Sequence, residues 1–321
     1  MPNALRQLAP VVIFVYNRPD NARQVIEALQ KNYLAPETDV IVFSDGPKND
    51  QHAPAVDAVR SYLKTVSGFK SFTVVERKEN YYIERNIVEG VTEIVNEHGR
   101  IIVLEDDGVT APYFLTFMNM ALDFYDKHKR VMHIATFTFI KMPESFKKTF
   151  LWRYSENTGG GWATWKDRWA SFRWFQSEAE GLDGLSEEQK DKMQLGGAFK
   201  CLDSLKLKPI PWDICWYVAI TKANGLAANS PWPLVRNNGL FNGTHFTVIN
   251  RLLGKSPFEV ELSRNEDIEF EDRIEENQEA ITKLKNVYGS IGTSPRERAV
   301  DFVMRILVTL RITKLAKRFF R

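Results

Sequence analysis

The chain has 321 residues, of which 44% are apolar and 26% charged, and a net charge of +2. That excludes a disordered chain, leaves room for a large core as one elaborate domain or two, and argues against bulk nucleic-acid binding. Cys201 and Cys215 form no CxxC pair, which excludes a cysteine zinc site and fits a reducing compartment.

Residues 1–10 contain no apolar signal-peptide core, and no run reaches the length of a membrane span. The reading is therefore a cytoplasmic protein. Pro10–Tyr16 is an unbroken apolar run and predicts a buried strand, closed by the turn Asn17-Arg18-Pro19-Asp20. Helical spacing of Ala22, Val25, Ile26 and Leu29 predicts a helix over 21–31. A second strand, 39–43, ends at Ser44-Asp45-Gly46-Pro47. A helix over 53–66, a strand over 72–75 and a helix over 84–97 come next. The run Ile101-Ile102-Val103-Leu104 then stops abruptly at Glu105-Asp106-Asp107. Alternating strand and helix predicts an α/β fold with a mostly parallel central sheet and helices on both faces.

The middle of the chain has a different texture. A helix is expected over 111–127 and another near 213–223, and all eight Trp lie between 152 and 232. Clustered Trp make a core by default, and beside glycine-rich loops they also suit the faces of sugars. The tail reads as an acidic segment over 259–279 and a last helix from Pro295 to Arg321.

The acidic triplet is the most informative stretch. Three carboxylates at the end of a buried strand repel one another and lose hydration unless something positive joins them. A hard divalent cation, Mg²⁺ or Mn²⁺, would do so, and in open α/β sheets ligands bind at the carboxyl ends of strands. The other reading is an acidic strand exit in water. Asn17-Arg18 and Ser44-Asp45 end their own strands, so one parallel sheet would bring all three sets to a common edge. Asp45 can accept from the N–H of a pyrimidine, and Arg18 can stack on a base or meet a phosphate. Alternation along the strand separates Glu105 and Asp107 from Asp106. Neither GxxxxGK[ST] nor a GxGxxG after a strand occurs, so metal and side chains would have to neutralise a diphosphate.

Four motifs in order, Val15-Tyr16-Asn17-Arg18-Pro19, Ser44-Asp45-Gly46, Leu104-Glu105-Asp106-Asp107 and the stretch Gly161-Trp162 to Arg168-Trp169, resemble bacterial glycosyltransferases of the GT-A fold. They are most similar to those related to the inverting N-acetylglucosaminyltransferase I group. The resemblance covers about residues 9–248. It implies a GT-A domain over 1–258, with a nucleotide-binding half over 1–110 and an acceptor half over 111–258, and a C-terminal helical extension over 259–321. It further implies a nucleotide-sugar donor, UDP rather than another nucleotide, a divalent metal, and a saccharide or lipid-linked saccharide acceptor. Asp107 would be the metal ligand, Asp106 would contact the ribose and Glu105 the donor sugar. Asn17, Arg18 and Asp45 would serve the nucleotide, and Arg85 and Asn86 would lie near the donor phosphates. Gly161, Trp162, Trp165 and Trp212 would line the acceptor side.

Pro211-Trp212-Asp213-Ile214-Cys215-Trp216 matches the family's base segment. An inverting transferase needs a carboxylate to take the acceptor proton. Asp213 is the first candidate, although it could equally cap a helix, and relatives often carry a second acid where Ile214 stands. Glu156, before the loop Thr158-Gly159-Gly160-Gly161, is the second candidate. Asn237–His245 resembles the family's closing loop, where His245 touches phosphate or metal or is simply a hydrogen-bonded structural residue.

Two other classes compete. A sugar nucleotidyltransferase would need a glycine-rich loop after the first strand, and Asn17-Arg18-Pro19 lacks the glycines. A non-catalytic carbohydrate-binding or scaffold protein that keeps the transferase fold remains the alternative, with the intact triplet and Asp213 against it. Residues 296–321 carry eight basic side chains against Glu297 and Asp301, with apolar residues between them. That pattern predicts a basic amphipathic helix lying on an anionic membrane surface, peripheral on the inner face of the cell membrane, or else packed on protein.

Overall fold

The structure, a computed structural model, describes residues 7–155, 160–241 and 259–290. The first half follows the sequence pattern closely. Strands β1 (Val11–Val15), β2 (Asp39–Ser44), β3 (Ser71–Glu76) and β4 (Arg100–Glu105) alternate with helices α1 (Pro19–Gln30), α2 (Ala53–Leu63) and α3 (Tyr82–His98). A short strand, β5 (Gly108–Thr110), and helix α4 (Phe114–Tyr125) follow, then β6 (Val131–Ala135), β7 (Phe150–Trp152) and β8 (Gly160–Trp165). The short helices α5 (Lys166–Trp169), α6 (Glu178–Leu182) and α7 (Glu187–Met193) lead to α8 (Trp212–Lys222). Strands β9 (Leu226–Asn229) and β10 (Val235–Asn237) and helix α9 (Gln278–Ser290) complete the described elements.

Eight strands form one sheet in the order β3-β2-β1-β4-β8-β6-β9-β7. Strands β3, β2, β1 and β4 are mutually parallel, β8 runs against both of its neighbours, β9 is parallel to β6, and β7 is antiparallel to β9. The sheet is thus mostly parallel, as expected. The antiparallel member β8 was not foreseen, because Gly160–Trp165 has neither clean alternation nor an apolar run.

Both faces are covered. Val11, Ile13 and Val15 of β1 pack with α1 and α4 on one face, while Val12 and Phe14 pack with α3 and α8 on the other. This is the period-2 alternation of a strand buried on both sides. A Gly99 in the left-handed region, φ 80°, ends α3 and turns the chain into β4.

Residues 259–277 pack on the domain. Phe270 stacks on Phe117 and Phe124, and Ile268 is buried in the core beside α4. Glu276 accepts two hydrogen bonds from Arg153, at 2.8 and 3.0 Å. The acidic composition hid these apolar anchors at 268 and 270. Among the described residues no helix is long and apolar enough to cross a membrane. The basic helix expected over 296–321 lies outside the described residues.

Candidate active site

Four parallel strands that end together must present their exits on one edge. The register pairs Phe14 with Glu105 and Val15 with Ser44, so Asn17-Arg18, Asp45 and Glu105–Asp107 converge there. Arg18 is the hub. Its guanidinium is ion-paired with Asp106 and reaches Asp107 at 3.2 Å. It turns toward the acids and carries the positive charge that they need.

Only 4% of Asp106 is exposed, and burial, opposed by Arg18 and reinforced by Asp107, pushes its carboxyl up to about 6. Burial, then the charges of Asp107 and Asp106, hold the Glu105 carboxyl well above the usual range. Asp213 adds to that shift, so its charge is felt at the acids from the first turn of α8. Asp45 is 4% exposed, and its Oδ1 accepts from the amides of Gly46 at 2.9 Å and Tyr81 at 2.8 Å. Burial outweighs these bonds and raises its carboxyl.

The segment after β10 closes over Asp107. Strand β10 pairs antiparallel with β5, the Asn238 amide donates to the Asp107 carbonyl at 2.8 Å, and Asn237 Nδ2 donates to Asp107 Oδ1 at 3.3 Å. A Cβ at Gly239 would lie 2.3 Å from Asp107 Oδ2, so a side chain there would displace the Asp107 carboxylate. The beginning of the expected closing loop therefore sits on the expected metal ligand. His245 lies outside the described residues, as does Glu156.

The donor set fits a hard divalent cation. Two carboxylates, Asp106 and Asp107, share one guanidinium beside Glu105, and burial raises the proton affinity of Glu105 and Asp106. Among the described residues no group of three or more His, Cys, Asp or Glu is placed to hold a metal ion. Mg²⁺ takes one or two carboxylates and leaves its other positions to phosphate and water.

Asp213 is not the N-cap of α8. Pro211 holds that position, and Asp213 lies in the first turn with its Oδ1 accepting from the adjacent Ile214 amide at 2.9 Å. Trp212, 5% exposed, stacks on Trp162 at 5.5 Å between ring centroids, and Trp162 stacks on His133 at 5.3 Å. A ring with no exposed surface has no face for a sugar, so Trp162 acts here as packing that supports Trp212. Trp165 is buried on the opposite face of the sheet, with Arg168 over its ring, and is not brought to the acids.

Gly161 also has a packing reason. With φ at +71°, its Cβ would lie 2.6 Å from Val235 Cγ2, and its carbonyl accepts from the Thr136 amide and hydroxyl. Arg85 is exposed and paired with Glu89 and Glu79, and Asn86 is buried beside Arg77. Asn17 contacts His52 Nδ1 at 3.3 Å, which Tyr16 Oη also meets at 2.5 Å.

Sequence reasoning missed two groups. His52 joins the end of β1 with no local signal. Glu84, in the first turn of α3, accepts from the Trp212 amide at 2.6 Å. Burial, together with the charge of Asp213, pushes its carboxyl up to about 7. A carboxylate directly before Arg85-Asn86 was visible, but its partner lies 128 positions away.

No curated protein sequence matches. Among solved structures, the crystal structure of S. aureus TarS matches with 14% identity and a TM-score of 0.37, over 71% of this chain and 36% of that one. The crystal structure of S. aureus TarS 1-349 matches with 12% identity and a TM-score of 0.39, over 72% of this chain and 61% of that one. The chain therefore spans less than two thirds of either. A family model, glycosyl transferase family 2, matches residues 11–179, which run from the first residue of β1 past the acidic triplet and β8. With more than half of its length inside that match, the chain belongs to glycosyl transferase family 2.

Proposed function

We propose that this glycosyltransferase is metal-dependent and inverting, and that it moves a sugar from a UDP-sugar to a hydroxyl of a saccharide or lipid-linked saccharide. One observation carries the reading. The ends of β1, β2 and β4 bring Arg18, Asp45 and Glu105–Asp107 to one edge of the sheet, with Arg18 paired to Asp106 and Asp107. That convergence supports a donor-phosphate site there, and the charge of Asp213, in the first turn of α8, reaches Glu105. The narrower likeness to the inverting N-acetylglucosaminyltransferase I group rests on the four motifs.

Asp45 accepts from the N–H of the base, Asp106 from a ribose hydroxyl, and Glu105 from a hydroxyl of the donor sugar. Arg18, already beside Asp107, meets the diphosphate. Asp107 would hold Mn²⁺ or Mg²⁺, and such an ion would supply positive charge to the departing diphosphate. Asp213 takes the proton of the acceptor hydroxyl. That oxygen bonds to the anomeric carbon as the bond to the diphosphate oxygen breaks, and the nucleoside diphosphate leaves with the bonding pair. The burial of Trp162 leaves Trp212 and the 237–239 segment as the described parts of the acceptor side. The basic tail adds attachment to an anionic membrane surface, which suits the assembly of a surface polysaccharide on a lipid carrier.

The test is release of UDP from a panel of UDP-sugars with Mn²⁺. Asp107→Asn is expected to abolish metal-stimulated turnover with the fold intact. Asp213→Asn is expected to lower turnover about 10²–10⁴-fold with donor affinity kept. Full activity of Asp107→Asn, or undiminished activity in EDTA, would refute the metal site. A crippled Glu156→Gln beside an active Asp213→Asn would transfer the role of base.

A further inference from the structure

The first turn of a helix has amide groups without partners inside the helix. At α8 the N-cap is Pro211, which makes no side-chain cap bond; within the turn Asp213 Oδ1 takes the Ile214 amide at 2.9 Å, which leaves the Trp212 amide to find its acceptor elsewhere. The acceptor comes from another element. Glu84 Oε2, on α3, takes the Trp212 amide at 2.6 Å.

The start of α3 is itself anchored. The Tyr81 amide donates to Asp45 Oδ1, Asn80 Nδ2 donates to the Gly46 carbonyl at 2.6 Å, and Tyr82 sits in the left-handed region at φ 57°. Glu84 therefore links the nucleotide edge of the sheet to the turn that presents the candidate base. The Trp212 ring, stacked on Trp162, fixes the same residue from its other side.

We propose that Glu84 is the positioning residue of the base, holding the first turn of α8 through the Trp212 amide and setting the charge beside Asp213; this rests on Asp213 being the base. A carboxylate close to a second carboxylate makes the second a stronger proton acceptor once the first ionises. Burial, with the charge of Asp213 from α8 added to it, pushes the Glu84 carboxyl up to about 7 against the Trp212 amide. Glu105 from β4 faces Asp213, Cys215 of α8 feels both acids, and Arg85 beside Glu84 is paired outward with Glu79 and Glu89. Glu84 thus changes charge around neutral pH while keeping its oxygen on the Trp212 amide. Its two effects, position and charge, can be separated by substitution.

The experiment uses the full chain and UDP release from UDP-glucose, UDP-galactose, UDP-N-acetylglucosamine and UDP-N-acetylgalactosamine with Mn²⁺, followed across pH. The wild-type kcat/KM is expected to rise through a step near pH 7. Glu84→Gln keeps an acceptor for the Trp212 amide but has no charge to change, so its turnover should match wild type on the acid side and lack the step. Glu84→Ala loses both, and its kcat should fall about 10²-fold at every pH with donor KM unchanged, the usual result of a misplaced catalytic group. A Glu84→Gln profile with the wild-type step, or a Glu84→Ala with wild-type kcat, overturns the proposal. If Glu84→Ala fails to fold, the Glu84→Gln profile alone decides. Asp213→Asn separates the two layers. Wild-type turnover there refutes the base itself, and a crippled Asp213→Asn beside an indifferent Glu84 refutes only the role of Glu84.

Discussion

Arg18→Met removes the cation that touches Asp106 and Asp107 while keeping the length of the side chain. The two acids are 5% and 13% exposed, and Arg18 is 31% exposed. Taking one partner from a buried pair costs about 3–5 kcal/mol, and the solvent reaching Arg18 reduces that to about 2–3 kcal/mol. In a chain of this size each kcal/mol moves Tm by roughly 2 °C, so a loss of about 5 °C is expected near pH 8. The sign with pH follows from Asp106. Its folded value of about 6 lies above the unfolded carboxyl range, so its ionisation costs native stability as pH rises through that window. Without Arg18 the folded value climbs further. At about pH 5 the acid keeps its proton and the variant should nearly match wild type, with the deficit opening only above about pH 6. Millimolar Mn²⁺ should restore part of the loss, because a divalent cation can take over the charge of the guanidinium. Thermal unfolding in EDTA and in Mn²⁺, at both pH values, reads all of this. A deficit of equal size at both pH values, or one that Mn²⁺ leaves untouched, would show that Arg18 does not balance the acids.

Gly239→Ala places a methyl group 2.3 Å from Asp107 Oδ2, so metal-stimulated UDP release should fall about 10²-fold with Tm little changed, and an active variant would mean that the 237–239 segment does not seat on Asp107. Gly161→Ala combines a positive φ with a clash against Val235 and Thr136, and denaturant unfolding should register a loss of about 2–4 kcal/mol; a loss within experimental error would contradict the close approach. Truncation after Gly292 should leave the fold intact and abolish low-salt binding to anionic liposomes; equal binding by the truncated chain would assign the tail to protein packing.

The first half of the fold was legible because its signals are local. Each apolar run from β1 to β4 is short, each ends at polar residues, and the alternation with helices dictates parallel strands with a common edge. The ends of those strands then had to meet, which is why Arg18, Asp45 and Glu105–Asp107 could be grouped before any coordinates. The second half resisted for the opposite reason. Trp162 and Trp165 look alike in sequence, yet β8 places them on opposite faces of the sheet, one in the stack under Trp212 and one beneath α4. Glycines read as a flexible loop, Gly160 and Gly161, are instead the points where β8 presses on the Leu104–Glu105 backbone and on Val235. Contacts between residues more than a hundred positions apart leave no local mark.

That same distinction bears on how the site works. The sheet alone would bring the acids together whether or not anything bound them, and their repulsion would weigh against the fold. The chain answers with partial compensation. Arg18 meets Asp106 and Asp107, and Glu84 is only partly ionised at neutral pH. Glu105 is also pushed toward its protonated form, and Asp213 lies within reach of its charge. A site balanced completely by its own cations would have nothing to gain from a metal and a diphosphate, whereas one left entirely unbalanced would strain the end of β4. A single guanidinium shared between two carboxylates lies between these limits. It stabilises the ligand-free fold and still leaves negative charge at the edge where a cation-bound diphosphate would sit.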